Sequence, residues 1–411
     1  MCARIAPKLL VQKDGILITA NIWKEAAVMS KIALISDTHF GSRDGRPVFH
    51  DFFEKFYKET FFPYLKQHGI KTVLHLGDCF DRRKYIDYYS LKRCKEYFFD
   101  PAAEAGIEVH MLVGNHDITY RNTLSVNSPE LVLNDYPNVK PIATPTELSL
   151  PGCKFLMLPW ICTDNYAESM RLIKESEADV CCGHFEIQGF SMYRGMESHE
   201  GFDKELFKRF SRVYSGHYHH RSSRDNIVYL GNPYEITAMD FNDPRGFHTF
   251  DLTNHNLEFV KNPFTLFERY VYNDSDKSKT LRDPKIFKDK FLKIVVESKT
   301  DFYKFDQFID KVYNAGCHEV KIVEDIAEMS ADEMDNSVDI EDTLTVLNHY
   351  VDSSEVTVDK KKLNNFMKTL YNEALQIGTW WQYISNQLSG ETSSLQATDS
   401  TPFCLIRTQP P

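Results

Sequence analysis

Long apolar runs are missing from this chain. No stretch approaches the roughly 18 consecutive apolar residues that a membrane-spanning helix needs, and the first 28 residues are too mixed for a secretory leader. Nine cysteines are present, yet none forms a Cys-x-x-Cys pair. The odd count and irregular spacing exclude a regular disulfide framework and leave a thiolate zinc site without support. Free thiols in a reducing cytoplasm are the expectation, with the neighbours Cys181 and Cys182 on opposite faces of a strand. Glycine and proline number only 18 and 17 in 411 residues, so collagen-like and low-complexity architectures are out. No internal repeat is visible. What remains is ordinary globular composition, 42% hydrophobic and 26% charged, long enough for two or three domains at roughly 150 residues each.

A surplus of positive charge is also lacking. The net charge is −11, which at first sight disfavours a polyanionic partner. Between Glu324 and Asp342, however, stand nine acids and no lysine or arginine, so this one stretch carries nine of the eleven net charges. Such a block reads as a solvated linker. The rest of the chain is near neutral, and a polyanionic substrate stays open.

From Met29 the pattern alternates. Lys31 to Ser36 reads as a strand, Pro47 to His68 as a helix with Phe49, Phe52, Phe53 and Phe56 on one stripe, and Gly69 as its stop. Lys71 to Leu76 is a second strand, Ile86 to Glu104 a helix and Ile107 to Val113 a third strand. This order predicts a parallel sheet covered by helices. Beyond about Val139 come shorter strands at 147–150, 154–158, 179–182, 212–215, 226–230, 246–251 and 257–260. Helices near 165–176 and 203–210 interrupt them, and a second mixed sheet packed on the first is expected. A small module follows, with strands at 291–297 and 317–323 around a helix over 302–314. Two amphipathic pieces lie beyond the acidic stretch, the second carrying Leu363, Phe366, Met367 and Leu370 on one stripe. The tail from Ser385, rich in Ser, Thr and Gln, reads as disordered.

Chemistry-bearing residues stand just after the apolar strands. Asp37 and His39 follow the first, Asp78 the second, and Asn115, His116 and Asp117 the third; His184 follows the strand at Val180, and His217 and His219 the one at Val213. Ligands in open α/β sheets bind outside the carboxyl ends of the strands, so these five clusters are expected to converge. Two carboxylates, an amide and four imidazoles, with no thiolate, suit divalent manganese, iron or zinc in a catalytic role. Seven side chains are too many for one ion. With Asp78 bridging, two ions each receive four ligands, and the two carboxylates leave positive charge over for an anionic substrate. Such a pair suits in-line displacement at phosphorus. His116 is then a candidate to protonate the leaving oxygen, with Asp117 orienting its ring.

At this point the chain resembles the calcineurin-like metallophosphoesterase superfamily, whose D-x-H, GD, GNH(D/E), GH and GH-x-H motifs are all met in order between about Lys31 and Asp251. The resemblance implies Asp37, His39, Asp78 and His219 on one ion, and Asp78, Asn115, His184 and His217 on the other. Assigning His219 rather than its neighbour His220 rests on the motif. Asp81 stands where purple acid phosphatases have tyrosine, and protein phosphatases have a glycine after the Asp81-Arg82 pair that is Arg83 here. GD-x-F-D with GNHD and the added module is most similar to the SbcD-type DNA nucleases, especially their bacteriophage recombination members. Pro159-Trp160, the 189–196 stretch and Asn242 to Phe247 extend that similarity.

That resemblance implies an α/β fold, a two-sheet metallophosphoesterase sandwich flanked by helices, with a small α+β capping module and C-terminal helices. The expected divisions are an N-terminal extension over 1–28, the catalytic domain over 29–263 and a capping or accessory domain over 264–330. An acidic linker over 331–342, partner-binding helices over 343–384 and a disordered tail over 385–411 follow. It implies a metal-dependent exonuclease and endonuclease acting on DNA in recombination, repair and replication, with two divalent ions, manganese foremost. The implied partners are an SbcC-type coiled-coil ATPase and a second copy of the chain, with no membrane, in the host-cell cytoplasm. A stand-alone small-molecule phosphodiesterase or phosphatase is the alternative. Arg121 and Asn122 are candidates for the substrate backbone. Arg82, Arg83 and Lys84 read as phosphate contacts or a solvated basic turn, and Trp160 as core or cleft wall.

Overall fold

In the computed structural model the described residues are 31–193, 196–276 and 283–324, with 351, 360, 362–364 and 366–367. The chain divides into two units, Met1–Glu333 and Met334–Pro411. The expected N-terminal extension, acidic linker and tail lie outside the described residues, as does most of the 343–384 segment.

The first unit is built on two six-stranded sheets. One runs in the order Leu257–Lys261, Gly246–Asp251, Lys31–Ile35, Thr72–His75, Glu108–Leu112, Val139–Ile142, and its last four strands are parallel. The other runs Ser222–Arg224, Ile227–Tyr229, Arg212–Gly216, Val180–His184, Cys153–Leu158, Thr146–Leu150, parallel through its four central strands. Ile32, Leu34, Leu74 and Leu112 of the first sheet pack on Phe155, Val180, Cys182 and Tyr214 of the second, so the inner core lies between the sheets. Adjacent Cys181 faces the outer core instead, as period-two alternation requires. All seven cysteines among the described residues are free.

Two expectations need correction. The strands Gly246–Asp251 and Leu257–Lys261 belong to the first sheet, not the second: Gly246–Asp251 pairs antiparallel with Lys31–Ile35. Chain order cannot reveal this, because the last strands return across the molecule to cover the otherwise open edge of the first. The segment expected as a helix over 203–210 forms only a short 3-10 turn, Lys204–Phe207.

The helix after the first strand begins at Pro47, whose fixed φ suits a first turn. It runs through Pro47–Phe56, a π turn at Tyr57–Phe61 and Phe62–His68, ending at Gly69 in the left-handed conformation. A second long helix, Tyr88–Cys94, Lys95–Phe99 and Asp100–Glu104, is capped by the Asp87 carboxylate accepting from the Ser90 amide at 2.8 Å. Between them and the first sheet lies an aromatic core. Phe53 stacks on Tyr234 at 3.9 Å between centroids, Tyr57 lies against Tyr97, and Phe61 meets Phe247 edge-on. Each buried ring contributes about 1.5–3 kcal/mol, so this layer holds the strand ends rigidly.

Phe267–Asn273, Phe291–Ser298 and Glu319–Val323 form a three-stranded parallel sheet covered by the helix Phe302–Asn314. The first of these strands is absent from the sequence reading. Phe267 and Phe291 reach back to Phe49.

Candidate metal centre

Five of the parallel strands, Lys31–Ile35, Thr72–His75, Glu108–Leu112, Val180–His184 and Arg212–Gly216, carry the ligand candidates at their carboxyl ends. Asp37, His39, Asp78 and His217 all hold positive φ, at 53°, 42°, 52° and 87°. Non-glycine residues avoid that region, so the surrounding bonds must hold them there. Asp37 and Asp78 each place one carboxylate oxygen on a backbone amide: Asp37 Oδ1 accepts from His217 at 2.9 Å and Asp78 Oδ1 from His116 at 2.9 Å. Their second oxygens turn inward. The first sheet supplies Asp37, His39, Asp78 and Asn115, and the second His184, His217 and His219. The centre therefore lies where the two sheets meet at their carboxyl ends.

Donor atoms of Asp37, His39 and His219 lie within 4.8 Å of one another, as do those of Asp78, His184 and His217, and those of His39, Asp78 and His116. His39 Nε2 faces His219 Nε2 at 3.0 Å. Asn115 Oδ1 lies 2.9 Å from His184 Nε2 and 3.0 Å from His217 Nδ1, and Asp78 Oδ2 is 3.1 Å from the same His184 nitrogen. His184 Nδ1 meets the Leu76 carbonyl at 2.7 Å and must carry the hydrogen, which leaves Nε2 as the lone-pair nitrogen of the neutral ring. Asp37 Oδ2 is buried without a hydrogen-bond partner.

Carboxylate oxygens, an amide oxygen and imidazole nitrogens thus converge without matching donors. A cation satisfies such a set, and the residues fit divalent ions.

The electrostatics agree. Burial raises Asp37 to about 6, with Asp78 adding to the shift. Burial pushes His184 down, but Asp78 and Asp37 outweigh it and raise the ring to about 9. Burial likewise opposes ionisation of Asp78, yet His184, His116 and His39 hold it well below the carboxylate range. His217 falls to about 3 through burial and the neighbouring His184 charge. The cluster recruits positive charge, and a proton shared by His184 and Asp78 stands where a cation would.

His116 lies edge-on to His39, 4.8 Å between centroids, with Nδ1 2.6 Å from the Asp81 carbonyl. Asp117 does not orient that ring, contrary to expectation. Its carboxylate accepts from the Gly114, Cys79 and Phe80 amides at 2.9, 3.1 and 3.1 Å, tying the Asn115 turn to the Asp78 turn. The residue orienting His116 is Asp81, whose carboxylate also lies 3.5 Å from His39 Nδ1. Arg121 and Asn122 sit exposed on the following loop, and Arg82 bonds Asp44 and Tyr85.

Two further residues support the centre, of which Tyr234 escapes a sequence reading. Tyr234, from the aromatic core, donates its hydroxyl to the Thr38 carbonyl between Asp37 and His39 at 2.6 Å. Trp160 lies 5.2 Å from the His217 ring and 6.0 Å from His184, partly exposed, so it serves as both core and wall. Its position after a strand was the only available signal.

Residues 30–221 match the family of calcineurin-like phosphoesterases. A curated relative, exonuclease subunit 1 of enterobacteria phage T4, is 34% identical over 316 residues, covering 76% of this chain and 90% of the relative. Among solved structures, an archaeal phosphodiesterase aligns at 13% identity over 56% of this chain and 99% of its own, with a TM-score of 0.29, too loose a likeness to inform the site. The chain belongs to the calcineurin-like phosphoesterases, hydrolases of phosphoester bonds that use divalent metal ions.

Proposed function

We propose that this protein is the catalytic subunit of a DNA nuclease that hydrolyses phosphodiesters with two divalent ions, most suitably Mn2+. The observation that carries the reading is the 34% identity to a phage exonuclease subunit over three quarters of the chain, joined to a complete set of convergent ligands. Asp37, His39, Asp78 and His219 would hold one ion, and Asp78, Asn115, His184 and His217 the other. When bound, the pair supplies Lewis acidity toward phosphoryl oxygens and lowers the pKa of a water nucleophile.

The chain's own groups do the rest. Asp81 holds His116 through Nδ1, leaving Nε2 as the nitrogen that exchanges a proton with the leaving oxygen. Asp117 is a positioning residue for the turns beneath, and Trp160 shields the His184 and His217 rings from water. Arg121 and Asn122, exposed on the loop that follows His116 in the chain, would meet the DNA backbone.

The domain divisions and partners are part of the same proposal. The sheet and helix between Phe267 and Val323 would cap the catalytic domain and limit substrate access. The 343–384 helices would dock on an SbcC-type coiled-coil ATPase, a reading supported by Phe366, 59% exposed on its helix. A second copy of the chain is the other proposed partner, with exposed Tyr85, Tyr88 and Tyr89 as candidate contacts. No helix among the described residues is long and apolar enough to cross a membrane, and the host-cell cytoplasm is the proposed site of action.

The test compares linear duplex DNA with a small bis-ester phosphodiester in Mn2+, using wild type and His116→Ala. DNA degradation should fall by about 10²–10⁴-fold in His116→Ala while Mn2+ uptake is retained. Turnover of the small ester with DNA untouched, even with an ATPase partner added, would move the protein to a small-molecule role.

A further inference from the structure

Arg245 is 5% exposed and stands immediately before the strand Gly246–Asp251 of the first sheet. One guanidinium nitrogen, Nη2, contacts Asp240 Oδ1 at 2.6 Å and Asp243 Oδ2 at 2.9 Å. The other, Nη1, donates to the Asn232 side-chain oxygen and to the main-chain carbonyl of His219. Asp240 is itself fixed, accepting the Ile236 and Thr237 amides at 2.7 and 2.9 Å. Asp243 also holds His220 Nδ1 at 2.8 Å. A fully buried, four-way-bonded guanidinium is expensive to desolvate, and its planar fork orients what it touches.

What it touches is the loop that carries two ligands. This loop leaves the second sheet after Arg212–Gly216, while Arg245 is anchored to the first. The two sheets must stay in register for His219 Nε2 to face His39 Nε2 at 3.0 Å, because those rings come one from each sheet. The ligands on the other side are tied more directly. His184 Nδ1 bonds the Leu76 carbonyl of the first sheet's second turn, and His217 N bonds Asp37. The His219 ring meets the first sheet only at His39, itself a candidate ligand, so its place depends on its carbonyl, which accepts from Arg245 and, at 3.3 Å, from the Asn232 amide.

We propose that Arg245 is a positioning residue whose grip on the His219 carbonyl fixes His219 for the ion it shares with Asp37 and His39. The inference rests on the two-ion reading above.

The test titrates Mn2+ into the ion-free full-length chain by calorimetry, for wild type, Arg245→Lys and, as a reference, His219→Asn, with Tm measured alongside. Uptake of fewer than two ions by wild type would sink the two-ion reading itself, before Arg245 enters. Lysine keeps the charge but cannot fork onto four acceptors. Arg245→Lys is therefore expected to bind one ion as wild type does and the other about 10–100-fold more weakly, matching the His219→Asn isotherm at temperatures well below its Tm. A purely structural role would weaken both ions together or neither. Either of those results in folded Arg245→Lys overturns the proposal. Should that variant not fold, Asn232→Ala, which removes a neighbouring acceptor on Nη1, is expected to weaken the same ion to a smaller degree. Unchanged affinity there would overturn the proposal equally.

Discussion

Asp117 shows how a single side chain can matter to the centre without reaching it. Its buried carboxylate is the common acceptor for amides of two turns, and those turns aim Asp78 and Asn115. An amide in its place offers one acceptor and turns donors toward backbone N–H groups. Asp117→Asn should cost about 1–3 kcal/mol, measured by urea unfolding of the ion-free protein. Glu235 titrates away from the centre. Burial raises it to about 7 from an ordinary 4.5, despite the amides of Phe267 and Leu266 that bond its carboxylate. Between those values the unfolded chain has released the proton and the folded chain still holds it, so Glu235 makes stability fall as pH rises through that window. Glu235→Gln should flatten this part of the profile. Comparing Tm at about pH 5 and about pH 8 checks it, and equal slopes in both proteins would refute the assignment.

At the scale of elements, the centre is a set of strand-end turns that need close backbone approach. Gly77 holds φ 99°, and a Cβ there would lie 2.4 Å from His184 Nδ1, the atom that fixes the ring on the Leu76 carbonyl. Gly114 is as crowded: a Cβ would meet Asp78 Oδ1 at 2.1 Å. Gly77→Ala combines a conformational penalty with a clash. It should weaken Mn2+ uptake by at least about 10-fold, and wild-type uptake in a folded variant would contradict this account. The first long helix was legible because its aromatic stripe repeats at helical spacing between a proline start and a glycine stop. The strand Phe267–Asn273 was not legible, since its pairing is with Phe291–Ser298 far along the chain. Likewise the 203–210 segment has helical composition but stops after one turn, where the Phe207 and Phe210 carbonyls bond the Asn226 side chain.

At the scale of the whole molecule, two sheets each bring part of the candidate ligand set, so their packing is a condition of its convergence. The Met334–Pro411 unit raises a separate question of assembly. If its helices dock on an ATPase, Phe366→Asp should abolish capture of an SbcC-type partner by the full chain, while Mn2+ uptake is unchanged. Retained capture would place the docking surface elsewhere. The sequence by itself determined which candidate ligands converge, because each motif follows an apolar strand and strand ends in parallel sheets gather on one side. It also determined the parallel β-α-β core. Only the tertiary structure decided that Gly246–Asp251 joins the first sheet, that Asp81 rather than Asp117 bonds the His116 ring, and that Tyr234 and Arg245 hold the loops of the candidate ligands. Those are contacts between residues far apart in the chain or bonds to backbone atoms, and neither leaves a periodicity or spacing to read.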